Sequence, residues 1–182
     1  SNQIAKDTGA TFIHPSNNMD VILGNSTACL ELIEDYTDLD YVFTPVGGGG
    51  LVAGTALAVH YFGKDCKVIG GEPFEADDAY RSLICGKIET NNSTNTIADG
   101  LKTNLGDINF PIIKELVSEI ICVEETEIVA AMKLIWERMK IVVEPSSAVA
   151  LAAVLKEKKH FRNKKVGVIL SGGNVDLKNL PF

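Results

Sequence analysis

The chain has 182 residues and a formal net charge of −7, with 46% hydrophobic and 23% charged residues. This length suits one domain, or at most one and a fraction, and the composition is that of a globular rather than a disordered protein. The acidic balance argues against nucleic acid or an anionic membrane as a main partner, and no apolar run approaches the ~20 residues of a membrane span.

Short apolar segments rich in β-branched residues alternate with helical patterns along the chain. In chain order the pattern predicts a strand at 11–14, a helix at 26–34, a strand at 41–44, a helix at 51–62, a strand at 67–72, helices at 76–84 and 110–117, a strand at 120–123, helices at 125–139 and 146–156, and a strand at 166–170. The strands are unbroken apolar runs, which indicates that helices cover both faces of the sheet. We therefore predict an α/β fold with a mostly parallel, twisted sheet flanked by helices.

The four cysteines and three histidines lie far apart in the sequence. They are Cys29, Cys66, Cys85 and Cys122, and His14, His60 and His160. This spacing argues against a zinc site, and it predicts reduced thiols in a cytosolic protein. The first seven residues also lack the apolar core of a signal peptide.

A cluster of four glycines, residues 47–50, follows one predicted strand and precedes a predicted helix. Without Cβ atoms the backbone can adopt positive φ and direct successive N–H groups at one point, and the helix N-terminus adds partial positive charge. Ligands of parallel α/β sheets bind beyond the carboxyl ends of the strands. The cluster is therefore predicted to bind a phosphate group through backbone N–H groups alone.

The glycine cluster also matches part of a dinucleotide-binding fingerprint. Gly48, Gly50 and Ala53 have the GxGxxA spacing, and Glu72 follows at about the distance of a ribose-binding acid. A nucleotide P-loop does not fit, because Leu51 stands where a lysine is needed. A dinucleotide-binding domain therefore stays open as an alternative.

A second tight turn, Ser-Gly-Gly-Asn at 171–174, follows the last predicted strand. Together with several other motifs it resembles the pyridoxal-phosphate enzymes of the serine racemase and threonine dehydratase family, above all its serine racemases and 3-hydroxyaspartate dehydratases. These motifs lie at 44–51, 72–73, 96–100, 136–140, 144–146 and 171–176. The resemblance implies the large cofactor-binding domain of fold type II enzymes at 16–182, incomplete N-terminally, after the tail of a small domain at 1–15.

The resemblance implies pyridoxal 5'-phosphate as the cofactor. The ring nitrogen would bond to a serine hydroxyl, which is a much weaker acid than pyridinium, so the ring need not stay protonated. This property suits loss of a β-hydroxyl group. By position, the phosphate would be bound by the N–H groups of Gly47, Gly48, Gly49 and Gly50 with Leu51 as a further donor, the ring nitrogen by Ser171, and the ring face by Gly100, with Glu144 near the cofactor or its domain support.

Residues 72–78 resemble the divalent-cation loop of serine racemases. The resemblance implies that Glu72, Asp78 and the main-chain carbonyl of Ala76 bind Mg²⁺ or Ca²⁺, cations that prefer oxygen ligands. Asp77 is an alternative ligand, and a solvated acidic helix start is the alternative interpretation of the whole loop. If Glu72 binds a metal, it is not available for a ribose.

The resemblance implies a racemase or a β-eliminating ammonia-lyase (dehydratase) acting on serine, threonine or 3-hydroxyaspartate. It also implies a homodimer, with Lys140 in a nucleotide effector site between subunits, and a solvated lysine at a helix end is the alternative interpretation of Lys140. The cysteine pattern places the expected protein in the cytoplasm. The family's Schiff-base lysine lies in an N-terminal Ser/Thr-Phe-Lys motif that this chain lacks. We therefore expect no turnover from these residues alone, and a non-catalytic fragment or partner-binding module is the alternative.

Overall fold

The structure, a computed structural model, describes residues 2–182. The helices are α1 (Asn2–Thr8), α2 (Met19–Asp35), α3 (Gly50–Phe62), α4 (Asp78–Cys85), α5 (Asn109–Leu116), α6 (Glu125–Met139) and α7 (Pro145–Lys156). The strands are β1 (Tyr41–Pro45), β2 (Lys67–Pro73), β3 (Val117–Val123) and β4 (Val166–Val168), and short 3₁₀ turns cover Phe74–Ala76 and Asp99–Leu101. Within residues 2–182, no helix has both the length and the apolar character needed to cross a membrane.

The four strands form one parallel sheet in the order β3-β2-β1-β4. Strand β1 is central, and its Val42 lies opposite Val68 on one side and Gly167 on the other. A helix lies between each pair of successive strands, as parallel connections require. The predicted α/β fold with a parallel sheet is therefore confirmed.

Helices cover both faces of the sheet, and β1 shows how its side chains divide between them. Val42 and Val46 are buried in one apolar cluster with residues of α2, α3 and α5. Phe43 points to the opposite face and is buried in a second cluster with residues of α6 and α7. Because both faces are covered, the strands carry continuous apolar runs instead of alternating ones.

The predicted strand at 11–14 is wrong. These residues form no strand, and Phe12 and Ile13 are 49% and 60% exposed. The predicted helix at 26–34 is real but begins earlier, at Met19, because Asn18 caps it. The Asn18 side-chain oxygen accepts the N–H groups of Asp20 and Val21 at 2.9 and 3.2 Å.

The sequence pattern does not predict α1, and the remaining elements differ from the prediction mainly at their ends. The segment predicted as a helix at 76–84 is a 3₁₀ turn followed by α4, and the helix predicted at 110–117 ends one residue earlier. Strand β3 begins at Val117 instead of 120, and β4 ends at Val168 instead of 170. Differences of about two to four residues at the ends are usual for elements predicted from sequence patterns.

Asp40 joins three strands at the amino end of the sheet, opposite to the ends that carry the glycine cluster. Its carboxylate accepts the Lys165 N–H at 2.8 Å and the Lys164 ammonium at 3.0 Å, next to β4. Its carbonyl accepts the N–H of Lys67 in β2 at 3.0 Å. The hydrogen bond from the Lys165 backbone, helped by Lys164, lowers the pKa of Asp40.

Candidate functional site

One cavity of about 750 Å³ lies beyond the carboxyl ends of β1 and β4. All the residues predicted to contact a cofactor line it, namely Gly47, Gly48, Gly49, Gly50, Leu51, Gly100, Glu144 and Ser171. Residues 14–16 and 102–104, which the sequence analysis had not assigned to the site, complete its wall. Segments from across the chain therefore converge on one space at the edge of the sheet where α/β folds bind ligands.

The glycine cluster presents unpaired backbone donors to this cavity. Within residues 2–182, no N–H group of residues 47–51 donates a hydrogen bond to another group of the protein. Gly49 precedes α3 with a left-handed φ of 85°, and no side chain caps the helix. The first N–H groups of α3 and those of the loop are therefore available to one anionic ligand, which is the arrangement that binds phosphate.

The glycine cluster also touches the opposite wall of the cavity. A Cβ atom on Gly47 would lie 2.9 Å from both the Gly100 carbonyl oxygen and the Leu101 Cα. Both contacts are with backbone atoms, which cannot rotate away. Glycine at this position therefore serves close backbone packing as well as ligand access.

Gly100 is held against the cavity by a side chain from α7. Its N–H lies 3.0 Å from the hydroxyl oxygen of Ser146, which accepts the hydrogen bond. Ser146 is only 2% exposed and follows the proline that begins α7. The motif at 144–146 contained this residue, but nothing in the sequence indicated that its hydroxyl would fix the predicted ring-face glycine.

Glu144 organises the turn that carries Ser171. The Glu144 N–H donates to the Gly172 carbonyl at 3.1 Å, and its carboxylate accepts the Asn174 N–H at 2.9 Å. The Ser171 side chain is exposed to the cavity. Glu144 thus lines the cavity and also supports the turn at 171–174. The resemblance implied that Glu144 lies either near the cofactor or in the support of its domain, and the structure shows contacts of both kinds.

Asn109, which the sequence analysis missed, is completely buried behind the glycine cluster. Its side-chain amide donates to the Gly48 carbonyl at 2.7 Å and to the Ser16 carbonyl at 2.9 Å. Its side-chain oxygen accepts the Gly106 N–H at 3.1 Å. The residue stands at the start of an apolar helix without a recognisable motif, so only the three-dimensional structure reveals its contacts.

The predicted cation loop contains two completely buried carboxylates, Glu72 and Asp78. Glu72 accepts the N–H groups of Ala79 and Tyr80 at 3.0 and 2.8 Å. Asp78 accepts the Asn91 side-chain amide at 2.6 Å and the Leu105 N–H at 3.3 Å, and Leu105 follows the cavity wall at 102–104. Each carboxylate oxygen thus accepts one hydrogen bond. Each oxygen also has a second lone pair, which is available to a further donor or to a cation.

Burial dominates the electrostatics of the two acids. It raises the pKa of Glu72 well above its usual value, and the nearby charge of Asp78 raises it further. Burial also raises the pKa of Asp78 to about 6. Asp77, the alternative ligand, instead pairs with the Arg81 guanidinium at 2.8 Å. Within residues 2–182, no three His, Cys, Asp or Glu side chains cluster as a metal site, so a cation here would need carbonyl and water ligands.

Comparison with known proteins shows the family to which the chain is similar. A family model described as pyridoxal-phosphate dependent enzyme matches residues 1–172. The chain is 50% identical to serine racemase of Dictyostelium discoideum over 184 aligned residues and 47% identical to beta-hydroxyaspartate dehydratase of Paracoccus denitrificans over 180. These alignments cover 98% and 99% of this chain but 56% and 57% of the relatives.

A solved structure agrees with the sequence relatives. Maize serine racemase superimposes with a TM-score of 0.94 and 43% identity, covering 98% of this chain and 56% of the maize chain. The chain therefore spans a little over half the length of the proteins that it resembles. The similarity extends through the residues that line the cavity.

Proposed function

This chain belongs to the pyridoxal-phosphate-dependent enzyme family, and we propose that it forms the cofactor-binding part of an amino-acid racemase or ammonia-lyase. The observation that carries the proposal is the single cavity lined by every predicted cofactor residue. Serine, threonine and 3-hydroxyaspartate are the proposed substrates. Relatives named serine racemase and beta-hydroxyaspartate dehydratase support two of them, and threonine rests on the resemblance of the sequence motifs.

The unpaired N–H groups of residues 47–51 fit a cofactor phosphate. When bound, pyridoxal phosphate supplies an electron-withdrawing ring that stabilises negative charge at the α-carbon of an amino acid. The glycine cluster would anchor the phosphate through backbone donors and the dipole of α3. Gly100, fixed by Ser146, would leave room for the flat ring, because it has no side chain.

Ser171 would set the electronic character of that ring. Its hydroxyl is exposed to the cavity on a turn that Glu144 holds through two hydrogen bonds. A hydroxyl group can donate a hydrogen bond to the ring nitrogen and keep its proton, so the nitrogen stays uncharged. We propose that this uncharged contact favours expulsion of a β-hydroxyl group from the substrate.

We also propose a Mg²⁺ or Ca²⁺ site formed by Glu72, Asp78 and the carbonyl of Ala76. The two carboxylates are fully buried, and the charge of Asp78 raises the pKa of Glu72, so a divalent cation would compensate buried negative charge. Asp77 is unsuited to the role, because Arg81 neutralises it.

The cation proposal can be tested by melting the protein with and without MgCl₂ or CaCl₂. A cation at one hundred times its dissociation constant stabilises the folded state by about 2.7 kcal/mol. We expect Asp78→Asn to abolish this stabilisation and the neighbouring Asp77→Asn to retain it. Equal responses of the two variants would reject the site.

The remaining parts of the proposal concern the whole protein. We propose that the protein is cytoplasmic, since all four cysteines are free thiols. We also propose that it is a homodimer, as the resemblance of its sequence motifs implies. Residues 1–15 would be the tail of a small domain, and residues 16–182 part of the large one. Lys140, at the end of α6 with a φ of 60°, would contribute to a nucleotide effector site.

Binding of the cofactor is the first test of the proposal. We expect pyridoxal phosphate to bind at least about tenfold more tightly than pyridoxal, because only the former carries the group that the glycine cluster recognises. A dinucleotide-binding domain would instead bind NAD. The burial of Glu72 beneath α4 argues against that function, since a ribose cannot reach its carboxylate.

The reaction is tested with the full-length protein. L-serine, L-threonine and 3-hydroxyaspartate are supplied separately, and pyruvate, 2-oxobutyrate, oxaloacetate and D-serine are measured. Formation of a keto acid identifies an ammonia-lyase, and D-serine identifies a racemase. Tight cofactor binding with none of these products would favour the alternative of a non-catalytic module.

A further inference from the structure

Asn109 occupies a central position behind the glycine cluster. It is the first residue of α5 and is completely buried, and its amide nitrogen lies between two backbone carbonyl oxygens, those of Gly48 and Ser16. An asparagine amide has two N–H donors, and both are used here. Its oxygen accepts the Gly106 N–H, so the orientation of the side chain is fixed by three hydrogen bonds.

The bond to Gly48 controls the direction of a neighbouring donor. The Gly48 carbonyl and the Gly49 N–H belong to the same planar trans peptide unit, so they point in opposite directions. Because the Gly48 carbonyl points towards Asn109, the Gly49 N–H points away from Asn109. Gly49 itself lines the cavity. Loss of this contact would free the peptide unit to rotate.

The bond to Ser16 connects the glycine cluster with another wall of the cavity. Ser16 lines the cavity, and the adjacent Asn17 accepts the N–H groups of Ile108 and Asn109 at 2.8 and 3.3 Å. The start of α5 therefore holds both walls at a fixed separation. The Asn109 side chain that lies between the two walls is completely buried, so water does not readily replace its hydrogen bonds.

We propose that Asn109 is a positioning residue that directs the Gly49 N–H at the cofactor phosphate and so sets the affinity of the site for that group. The inference rests on the proposed cofactor site. Asn109 itself lies behind the glycine cluster and does not line the cavity. It acts only through the backbone that it holds.

The test compares Asn109→Asp and Asn109→Ala with Ile113→Val in the same helix. Asn109→Asp keeps the size and the acceptor for Gly106 but turns an oxygen towards two carbonyl oxygens, and Asn109→Ala removes the contacts without adding charge. Ile113 is completely buried one turn further along α5, so Ile113→Val reports general loss of packing.

Dissociation constants of pyridoxal phosphate and pyridoxal are measured for each protein by equilibrium dialysis, together with hydrogen exchange of residues 47–51 without ligand. We expect both Asn109 variants to lose about tenfold or more of their preference for pyridoxal phosphate over pyridoxal and to exchange faster in the glycine cluster. Ile113→Val should keep the preference of the unmodified protein, because the apolar Ile113 side chain makes no hydrogen bond to the glycine cluster.

The outcomes separate this inference from the proposed function. If the unmodified protein has no preference for pyridoxal phosphate, the phosphate site itself is rejected, and the role of Asn109 with it. If the unmodified protein has the preference and both folded Asn109 variants retain it, only the positioning role is overturned. Because the preference is a ratio of two affinities, a merely destabilised protein would not reproduce the expected result.

Discussion

The close contact between Gly47 and the segment at 100–101 predicts a large effect of one methyl group. In Gly47→Ala the new Cβ would lie 2.9 Å from the Gly100 oxygen and the Leu101 Cα. Ordinary van der Waals contact begins near 3.4 Å, so the two backbones must separate by about 0.5 Å (3.4 − 2.9). Neither neighbour is a flexible side chain, and the separation must be accommodated by movement of the cavity walls.

This movement should reduce both stability and cofactor affinity. Overpacking of this kind lowers the free energy of unfolding by about 1–3 kcal/mol. A hydrogen bond from the backbone to a charged phosphate contributes about 1.5–3 kcal/mol, so misalignment of one such donor weakens binding by about 10- to 100-fold. We expect both effects in Gly47→Ala.

The chain offers a matched control in Gly24, an exposed residue within α2. A Cβ at this position would meet no atom within 4 Å. Gly24→Ala should therefore increase the free energy of unfolding by about 0.5–1 kcal/mol, because alanine is favoured over glycine inside helices. It should leave the affinity for pyridoxal phosphate unchanged.

Urea denaturation gives the stability of each variant, and fluorescence titration gives its dissociation constant for pyridoxal phosphate. If Gly47→Ala binds the cofactor within twofold of Gly24→Ala, the cavity walls do not depend on this close approach. The assignment of the cavity as a rigid phosphate site would then be wrong.

Three further predictions concern other parts of the molecule. Glu144→Ala should lower the free energy of unfolding by about 1–2 kcal/mol and speed hydrogen exchange at Asn174, whereas Glu144→Gln, which keeps an acceptor oxygen, should change both less. Because the pKa of Asp40 is lower in the folded chain than its value of about 3.9 in the unfolded chain, ionised Asp40 stabilises the fold above about pH 4. This contribution is lost as the pH falls through the folded-state pKa. The melting temperature of Asp40→Asn should therefore depend less steeply on pH below about pH 4. The exposed thiol of Cys85 should react with iodoacetamide at pH 8 in the native protein, whereas Cys29, whose pKa burial raises to about 12, should react only after unfolding, as mass spectrometry would detect.

Features that depend on local sequence were predictable. The glycine cluster lies between β1 and α3 as expected, because a strand, a turn without side chains and a helix each have a local signal. The parallel sheet followed from the continuous apolar strands. The segment at 11–14 failed because apolar, β-branched residues favour a strand only when another strand is available for pairing, and here none pairs with it.

Features that depend on distant contacts were not predictable. Asn109 and Gly48 are 61 positions apart, and no periodicity links them. Ser146 and Gly100 are likewise joined across 46 positions. Motifs identified residues that line the cavity, but the side chains that hold those residues in place have no fixed spacing, and only the folded chain reveals them.

If the glycine cluster binds the cofactor phosphate as proposed, its unpaired donors link the lifetime of the protein to the supply of pyridoxal phosphate. Unpaired N–H groups packed side by side disfavour the native state, and a bound phosphate removes that penalty. The fraction of molecules that unfold and are degraded in a cell therefore depends on the concentration of free pyridoxal phosphate. Shortage of pyridoxal phosphate would then lower the abundance of the protein as well as the fraction of its molecules that hold the cofactor.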